Sequence, residues 1–505
     1  MAGSREVKRN VGGGAVALAA LLVFSVLPPA LASGGGNLDQ RVRRLIAKHG
    51  IPVSRVGVAI LLEGDALDVA INADHPFKPA SNQKLLTALA GLYWLGPEHE
   101  YVTTLSSTAP LQDGEIRGDL ILRGTGDPNI SGRFYEGDPT AVLRSWARKL
   151  REAGLSRVTG KLLGDDSWFD DVTFPPSWDR RQEECWYAAE ISALSFNDNC
   201  LDIRVKPGSG VGKRAVVQVV PPSPLITIQG APRTVATGAT KVLVHRKHGT
   251  NEITVSGQIR LRADPWQGNV TVDDPPSFFA SALWQVLRDE GIAVEGGHGK
   301  VERTQAGGSD RLTLLVRHTS TLRQDLPIIL KRSQNLHAEL LLKAMGVRAA
   351  RRGSVAGGEA AIREFLKRRH IPDEGLVIRD GSGLSEENRV TAGLLVRVLR
   401  SAMSEKYFDE FLQALPVAGK DGTLKDRFQR QSRARGNVYA KTGYISGVSC
   451  LSGYVVKGRR VACFSVLTNG LAGGTSGAKR LQEEIAELVY EALPEGSRQS
   501  TVDSR

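Results

Sequence analysis

The sequence predicts a mixed α/β (α+β) protein in which one domain is interrupted by a large β-rich insertion. Its 505 residues exceed the roughly 250–300 at which a single core stops growing, so at least two domains are expected. Helical apolar spacing and a hairpin pattern at the front of the chain are matched by strands and a helix at its end, with short β-rich runs between them. Hydrophobic residues make up 41% and charged residues 24%, which excludes a disordered, collagen-like or polytopic membrane chain.

The first residues have the pattern of an export signal. Basic residues precede an apolar stretch over 15–27, and Ala30-Leu31-Ala32 supplies a small-x-small cleavage pattern. The apolar stretch is short for a bilayer span, so cleavage of residues 1–32 is predicted, with no stable membrane anchor afterwards; an uncleaved anchor is the alternative. We therefore expect a periplasmic or secreted protein.

The formal charge of +12 does not predict nucleic-acid binding, because the basic residues form no run and no stacking motif accompanies them. The predicted signal takes away three basic residues and one acidic residue, so the mature chain would carry +10. Such a charge favours loose, salt-sensitive attraction to an anionic polymer.

The front of the chain predicts a helix over 37–49, a hairpin formed by 56–62 and 66–71, and a buried helix over 81–95. We assign residues 33–97 to the first part of the main domain and 98–305 to the β-rich insertion, which we expect to form two subdomains. Within the insertion, helices are predicted over 140–153 and 277–290.

The main domain is expected to resume over 306–494 with helices, then strands, then a final amphipathic helix. A polar tail follows over 495–505. The predicted helices cover 321–330, 335–350, 358–369 and 478–493, and the predicted strands lie around 437–441, 448–456 and 460–467.

The four cysteines suit an oxidising compartment. Cys185 lies close in sequence to Cys200, and Cys450 to Cys463, so local disulfides are the first expectation and buried free thiols the alternative. Neither the cysteines nor the scattered histidines have metal-ligand spacing, so no metal site is expected.

Ser81-Asn82-Gln83-Lys84 opens the predicted buried helix. A spacing of three places Ser81 and Lys84 one turn apart on one face, where the amine can take the hydroxyl proton. Burial and the helix N-terminus both lower the pKa of a lysine, which must be neutral to act as a base. The motif is common by chance, and a second copy, Ser476 to Lys479, lies on a predicted surface helix.

Lys441-Thr442-Gly443 lies on a predicted strand. Gly443 lets a substrate backbone approach closely, while Lys441 and Thr442 offer a cation and a hydroxyl to a carboxylate. The alternative is an ordinary edge-strand triplet.

Two Ser-x-Asn triplets occur, one at Ser195 and Asn197 and one at Ser333 and Asn335. We choose Ser333 and Asn335 because they lie between two predicted helices of the split domain. Their alternative role is a helix cap, for which serine and asparagine are good residues.

Ser-x-x-Lys, Ser-x-Asn and Lys-Thr-Gly in this order are the three motifs of penicillin-recognising serine enzymes. Over nearly the whole mature length the chain resembles a low-molecular-mass class C penicillin-binding protein of the D-alanyl-D-alanine carboxypeptidase/endopeptidase family. The separation of Ser81 from Ser333 fits the large insertion of that family. The resemblance implies a β-lactamase-like transpeptidase fold, an antiparallel sheet flanked by helices. Further similar stretches are 79–86, 193–197, 380–384, 415–423 and 440–454.

The resemblance also implies an acyl-enzyme mechanism without metal or organic cofactor, directed at peptidoglycan stem peptides and inhibited by β-lactams. Ser81 would attack the carbonyl between the last two D-alanines with Lys84 as the base, and D-alanine or a cross-linking amine would leave. Ser333 would pass a proton to the leaving nitrogen. Asn335 would hold the amide of a substrate side chain.

In the same comparison Lys441 would help to keep Lys84 neutral, and Thr442 would bind the terminal carboxylate next to Gly443. The backbone N–H groups of Ser81 and Tyr444 would form the oxyanion hole.

Three residues depart from the family pattern. Tyr444 stands where Thr or Ser is frequent, which removes a hydroxyl from the carboxylate site, and Gln334 stands where Asp is frequent, a change we expect to be mild. Glu386 stands where many relatives have an Arg that meets an acidic substrate side chain, which argues against the usual diaminopimelate recognition. Asp165 is a further candidate for the side-chain pocket, with a turn residue as the alternative.

Two other functions stay open at this point. One is a peptidoglycan-binding scaffold whose site is degenerate at Tyr444 and Glu386. The other is a β-lactamase, which the large insertion and the lack of an assignable deacylating carboxylate disfavour.

Overall fold

The structure is a computed structural model that describes residues 35–302 and 312–495. The predicted signal segment, the proposed boundary at 305/306 and nearly all of the polar tail lie outside these residues. Within them, no helix is both long and apolar enough to cross a bilayer.

The main domain is built on a five-stranded antiparallel sheet. The predicted hairpin is confirmed, since Val56–Leu61 pairs with Val69–Ile71, and the same strand pairs on its other side with the last strand of the chain. Every residue of Val56–Leu61 is buried, because helices cover both faces of the sheet. In spatial order the strands are Val438–Ile445, Val448–Lys457, Arg460–Thr468, Val56–Leu61 and Val69–Ile71.

Two helical layers enclose this sheet. The first and last helices pack on one face, where Leu38, Val42 and Ile46 share a core with Val58 and Leu481. The other helices cover the opposite face. Within the described residues the helices of the main domain are Gly35–Lys48, Gln83–Leu95, Leu322–Leu330, Asn335–Ala350, Val355–Arg368, Ala392–Ala402, Phe408–Ala414 and Ser476–Ala492.

The two helices that carry the first and second motifs cross at a small residue. A Cβ on Gly91 of helix Gln83–Leu95 would lie 2.8 Å from a methyl carbon of Leu341, which belongs to helix Asn335–Ala350. Gly91 therefore lets the two helices approach closely, and this contact fixes the distance between the two motifs.

The insertion has a hydrophobic core of its own and four small sheets. Its helices, Ala141–Glu152 and Pro275–Asp289, pack against one another and against these sheets. In chain order the strands are Glu100–Ser107, Leu111–Gln112, Glu115–Ile116, Leu120–Gly124, Arg157–Val158, Leu162–Asp165, Cys200–Lys206, Val216–Val220, Thr227–Gln229, Arg233–Val235, Lys241–Arg246, Glu252–Arg260, Trp266–Thr271, Ala293–Val294, His298–Lys300 and Thr313–Thr321.

The position of the last of these strands argues against the predicted end of the insertion at residue 305. Thr313–Thr321 pairs antiparallel with Glu100–Ser107 and is an edge strand of the same five-stranded sheet, although a boundary at 305/306 assigns it to the main domain. We therefore propose that the insertion extends to Thr321. The chain enters and leaves it side by side, since the N–H of Leu322 donates to His99 O (3.0 Å) and the N–H of Arg323 to Pro97 O (2.9 Å).

The expected local disulfides are wrong, because all four cysteines are free thiols. Cys450 lies opposite Leu467 and Cys463 opposite Tyr454, so the second pair is offset by four residues along neighbouring strands. That offset is about 13 Å, beyond the reach of a disulfide. Burial raises the pKa of both of these thiols to about 12.

Candidate active site

Ser81 lies in a tight 3₁₀ turn, Ala80–Asn82, directly before helix Gln83–Leu95. Ala80 adopts a left-handed conformation (φ 45°), which is unusual for a residue with a Cβ. Two glycines make room for this turn. A Cβ on Gly383 would lie 1.8 Å from Ala80 O, and one on Gly443 would lie 2.6 Å from Pro79 O. The nucleophile turn is therefore packed between the loop of Gly383 and the strand of Gly443, and neither glycine position has room for a side chain.

Lys84 is fully buried beside Ser81. Its Nζ lies 3.1 Å from Ser81 Oγ, 2.6 Å from Asn335 Oδ1 and 2.8 Å from Ser382 O. Burial lowers its pKa to about 7, although the nearby carboxylates of Glu339 and Asp380 oppose that shift. Near neutral pH a large fraction of Lys84 is thus unprotonated and in hydrogen-bonding distance of the hydroxyl it would activate.

Glu339 and Asp380 are two buried carboxyl groups that the sequence interpretation missed. Glu339 accepts hydrogen bonds from the N–H groups of Gly381 and Ser382, both at 2.8 Å, and so holds the loop whose carbonyl contacts Lys84. Burial and the charge of Asp380 raise the pKa of Glu339, whereas hydrogen bonds from Gly381 and Ser382 and the charge of Lys84 oppose that shift and favour the carboxylate. The available signal was a glutamate inside the apolar helical run, four residues after Asn335.

Asp380 organises the rest of this loop. It accepts from the N–H groups of Gly383 (2.7 Å) and Ser385 (2.6 Å), and from the indole N–H of Trp178 (2.9 Å). The loop that packs on the nucleophile turn is therefore fixed by an acidic residue of its own.

Ser333 and Lys441 form the second hydroxyl–amine pair of the site. Ser333 is left-handed (φ 60°), and its Oγ accepts from Lys441 Nζ at 2.8 Å. Burial, and then the positive charge of Lys84, keep the pKa of Lys441 well below its usual range. The cap of helix Asn335–Ala350 is Gln334, whose side chain accepts from the N–H of Asn335. Ser333 is consequently not occupied in capping the helix.

The Lys-Thr-Gly triplet lies on the edge strand Val438–Ile445. The hydroxyl of Thr442 bonds that of Thr423 at 2.7 Å, so two hydroxyl groups meet beside Lys441. Thr423, at the end of the similar stretch 415–423, is a third residue that the sequence interpretation missed. Tyr444, by contrast, is 65% exposed, and its ring lies 5.9 Å from Lys479 Nζ.

The insertion contacts the second motif through Asp198. This carboxylate accepts from Gln334 Nε2 at 2.9 Å, pairs with Arg133 and lies 3.2 Å from His337 Nε2. Burial would raise the pKa of Asp198, but hydrogen bonds from His337 and Arg133 hold it below its ordinary value. An aspartate at position 334 would face this carboxylate directly, so the departure to Gln334 has a structural reason rather than being merely mild.

The site provides the groups needed for nucleophilic acyl transfer. They are the Ser81 hydroxyl beside the amine of Lys84, whose pKa is lowered, a second hydroxyl–amine pair, and two neighbouring threonine hydroxyls. The sequence profile of the D-Ala-D-Ala carboxypeptidase 3 (S13) family matches residues 38–491. The chain belongs to that family.

The chain is also similar to individual proteins with curated names. The chain is 32% identical to a D-alanyl-D-alanine carboxypeptidase of Actinomadura sp. (strain R39), over 96% of this chain and 93% of that protein. It is 27% identical to the D-alanyl-D-alanine carboxypeptidase DacB of Haemophilus influenzae, over 81% and 84% of the two chains.

The fold agrees with this assignment. The crystal structure of penicillin-binding protein 4 (dacB) from Haemophilus influenzae superposes with a TM-score of 0.74 at 23% identity, covering 89% of this chain and 99% of that one. The predicted membership among low-molecular-mass class C penicillin-binding proteins, which are serine D-Ala-D-Ala carboxypeptidases, is thereby confirmed, as is the predicted fold class.

The second copies of the first two motifs, Ser476 with Lys479 and Ser195 with Asn197, make no hydrogen bond to Ser81 or Lys84 within the described residues. Ser476 and Lys479 begin the last helix, whereas Ser195 is buried in the insertion and its Oγ donates to Ser192 O at 2.8 Å. Asn197 donates from Nδ2 to Cys200 O at 3.0 Å. The choice of Ser333 and Asn335 is therefore the one that brings the second motif next to Lys84.

Asp165 does not join the motif residues. It ends strand Leu162–Asp165, pairs with Arg123 (2.6 Å) and accepts from the N–H of Ser167 (2.9 Å). Burial raises its pKa, but these contacts outweigh burial and leave the pKa below its usual value. Across residues 35–302 and 312–495, none of its hydrogen bonds or ion pairs reaches the three motifs, so its contacts favour the alternative of a structural residue.

Glu386 pairs with Lys78 at 2.8 Å, three residues before the nucleophile. His245 and His248, which have no acidic neighbour in sequence, contact Glu184 and Glu183 across the fold. In the described ranges no group of three or more His, Cys, Asp or Glu side chains is arranged to hold a metal ion.

Proposed function

We propose that Ser81 is the nucleophile of a serine D-Ala-D-Ala carboxypeptidase and D,D-endopeptidase that acts on peptidoglycan stem peptides and is acylated by β-lactams. One observation carries this proposal: Lys84 Nζ lies 3.1 Å from Ser81 Oγ and has a pKa lowered to about 7. An amine in that state accepts the hydroxyl proton as Ser81 attacks the carbonyl carbon.

The second pair completes the acylation step. Ser333, bonded to Lys441, donates a proton to the leaving nitrogen and takes over the proton that Lys84 received from Ser81, so Lys84 is neutral again before deacylation. The backbone N–H groups of Ser81 and Tyr444 stabilise the developing oxyanion. Water then attacks the acyl-enzyme, with Lys84 again as base, and releases the shortened stem peptide.

Substrate binding rests on the remaining motif residues. Thr442 holds the terminal carboxylate, and Thr423 supplies the second hydroxyl that a threonine or serine at position 444 would give, since the two threonine hydroxyls lie 2.7 Å apart. Gly443 allows the substrate backbone to pair with the edge strand. Asn335 bridges Lys84 and Tyr187 O, and we propose that it also contacts the amide of a substrate side chain.

We further propose that the protein works outside the cytoplasm as a periplasmic or secreted enzyme. The export pattern of residues 1–32, membership of a family of carboxypeptidases named for D-Ala-D-Ala, and a basic mature chain suited to an anionic wall polymer support this location.

The test is labelling by a fluorescent penicillin. Wild type is expected to form a stable adduct that Ser81→Ala abolishes, whereas Ser476→Ala, which removes the serine of the second copy of the first motif, should label normally. Wild type and Ser476→Ala should also release D-alanine from a pentapeptide substrate, and Ser81→Ala should not.

The other functions give different results. A scaffold would bind sacculi without label and without release of D-alanine. A β-lactamase would hydrolyse the β-lactam rapidly rather than keep it as an adduct. Either result would overturn the proposed function.

A further inference from the structure

A cavity of about 1040 Å³ lies where the insertion meets the second and third motifs. Gln334 and Thr423 of the main domain line it on one side, and Arg204 and Gln267 of the insertion line it on the other. Sites for small molecules usually occupy roughly 300–1,000 Å³, so this space is far larger than a single alanine requires.

The cavity begins at the leaving-group side of the proposed reaction. Gln334 follows Ser333, the proposed proton donor to the leaving nitrogen, and Thr423 bonds Thr442, the proposed carboxylate ligand. A leaving group that is anchored at Thr442 and extends away from Ser81 therefore continues into this space.

The charge of the cavity wall is mainly positive. Lys331 is paired with Asp421, but neither Arg204 nor Arg332 makes an ion pair with any residue of the described ranges. Both side chains are exposed to the cavity and the solvent. Asp202, whose pKa is raised by burial, offsets part of the charge of Arg204. Two uncommitted guanidinium groups in one cleft suit a ligand with carboxylates, which they can bind in a bidentate manner.

We propose that this cavity, here named the leaving-strand pocket, binds the second stem peptide of a cross-link. That peptide carries carboxylates beyond the one at Thr442, whereas free D-alanine does not. The inference rests on the proposed function and deepens it, because it assigns the residues that recognise a leaving group larger than one amino acid.

The chemistry is unchanged by the larger leaving group. A bond forms between Ser81 Oγ and the carbonyl carbon, the C–N bond to the second stem peptide breaks, and its nitrogen leaves as an amine with the proton from Ser333. Water supplies the hydroxyl of the released acid, so no oxidant or further reactant is needed. Arg204 and Arg332 contribute only binding.

The experiment compares two substrates of the purified protein: a cross-linked muropeptide dimer and an uncross-linked pentapeptide monomer, with products separated by chromatography. The double variant Arg204→Gln/Arg332→Gln should lower kcat/KM for the dimer about tenfold or more and leave monomer hydrolysis within about twofold, because only the dimer brings carboxylates to the two guanidinium groups. Arg262→Gln, an exposed arginine of the insertion outside the cavity, is the matched control and should change neither.

A second variant fills the space without changing charge. Gln267→Trp should slow hydrolysis of the dimer and spare the monomer, and its melting temperature shows whether it folds.

Several results would overturn the inference. Equal losses on both substrates, or unchanged dimer hydrolysis in both variants, would exclude a leaving-strand site. If wild type releases D-alanine and takes the penicillin label but does not cleave the dimer, the pocket assignment and the endopeptidase activity fail, while the proposed serine carboxypeptidase stands. If wild type does none of these, both fail together.

Discussion

Lys84 combines two opposing influences on one amine. Burial favours its neutral form, while Glu339 and Asp380 favour the ammonium, and the pKa settles at about 7. Without the carboxyl groups the amine would be a weaker base; without burial it would stay protonated. The residues around Lys84 thus adjust its basicity to neutral pH, where a general base is most effective.

A residue-scale prediction concerns Glu339→Gln. Acylation by a labelled penicillin should rise with pH through about 7 in wild type, because Lys84 loses its proton there. Removing the Glu339 carboxylate removes an interaction that raises this pKa, so the rise should move to lower pH, by up to about one unit. Stopped-flow labelling across pH 5–9 (about the range where Lys84 titrates) measures it.

The matched control is Glu364→Gln, which changes a partly exposed glutamate of helix Val355–Arg368 that pairs with Arg368 and should leave the profile in place. A profile that stays fixed or moves to higher pH in Glu339→Gln would contradict the role assigned to this carboxyl group.

Site residues that belong to short sequence motifs could be predicted from the sequence, whereas those that are distant in sequence from the motifs could not. Ser81 and Lys84 are three positions apart, so helical geometry alone puts them together. Glu339 and Thr423 reach the site only through the tertiary fold. No spacing rule connects them to Ser81, which is why they were missed, and Asp165 was selected although its partner Arg123 ties it to the insertion.

The elements around Ser81 depend on close contacts that only glycine permits. Gly383 has φ 83°, and a Cβ there would overlap Ala80 O. Because Ala80 immediately precedes Ser81, a shift of the loop would move the nucleophile. This loop belongs to the main domain and follows helix Val355–Arg368, far in sequence from the turn that it supports.

At this scale we predict that Gly383→Ala lowers the free energy of unfolding by at least about 2 kcal/mol and slows acylation strongly, because left-handed strain and a steric clash add up. Chemical denaturation and penicillin labelling measure the two effects.

Gly458→Ala is the control, since Gly458 is also left-handed (φ 60°) but has nothing within 4 Å of its Cβ position. It should cost only about 1–2 kcal/mol of strain and label at the wild-type rate. If the two variants lose the same free energy of unfolding and label at the same rate, the contact between Gly383 and Ala80 does not position the nucleophile.

Several helices were predicted almost to the residue, whereas Ala392–Ala402 and Phe408–Ala414 were not predicted. The helix predicted over 335–350 is observed as Asn335–Ala350, and the one over 277–290 as Pro275–Asp289. The helix predicted from Ser81 begins instead at Gln83, because the first residues form the 3₁₀ turn with a left-handed Ala80. Strand partners in the insertion were not predictable, since pairing between distant segments leaves no local pattern.

For the molecule as a whole, the insertion and the main domain are joined by a buried charged network. His337 lies between Asp325 (2.5 Å) in the main domain and Asp198 (3.2 Å) in the insertion, and Arg133 pairs with Asp198. Burial lowers the pKa of His337, but the two carboxylates outweigh burial and raise it above its ordinary value. The second motif is therefore held partly by the insertion.

We predict that His337→Gln destabilises the protein by about 3–5 kcal/mol, as expected when one partner of a buried pair is removed. Because the pKa of His337 is higher in the folded state, its stabilisation is complete below about 6.5 and is lost as pH rises through the raised value. The melting temperature of wild type should accordingly fall over that range, and the variant should lack this part of the pH dependence.

His99→Gln is the comparison, because burial lowers the pKa of His99 and its contribution has the opposite sign. If wild type and His337→Gln show the same pH dependence of melting, the network does not depend on a charged histidine.

The chain crosses into the insertion and back at neighbouring backbone positions, with Leu322 bonded to His99 and Arg323 to Pro97. An insertion whose two ends are adjacent can be acquired or lost in evolution without distorting the main domain, because a short turn can connect the two main-domain segments directly. An ancestor without the insertion would keep Ser81, Lys84 and Lys441 on main-domain elements. It would, however, expose His337 and Gln334 to water, and the cleft beside Thr423 would be open on one side. The insertion thus forms one side of the cleft and helps to hold the second motif in place, while the catalytic residues all belong to the main domain.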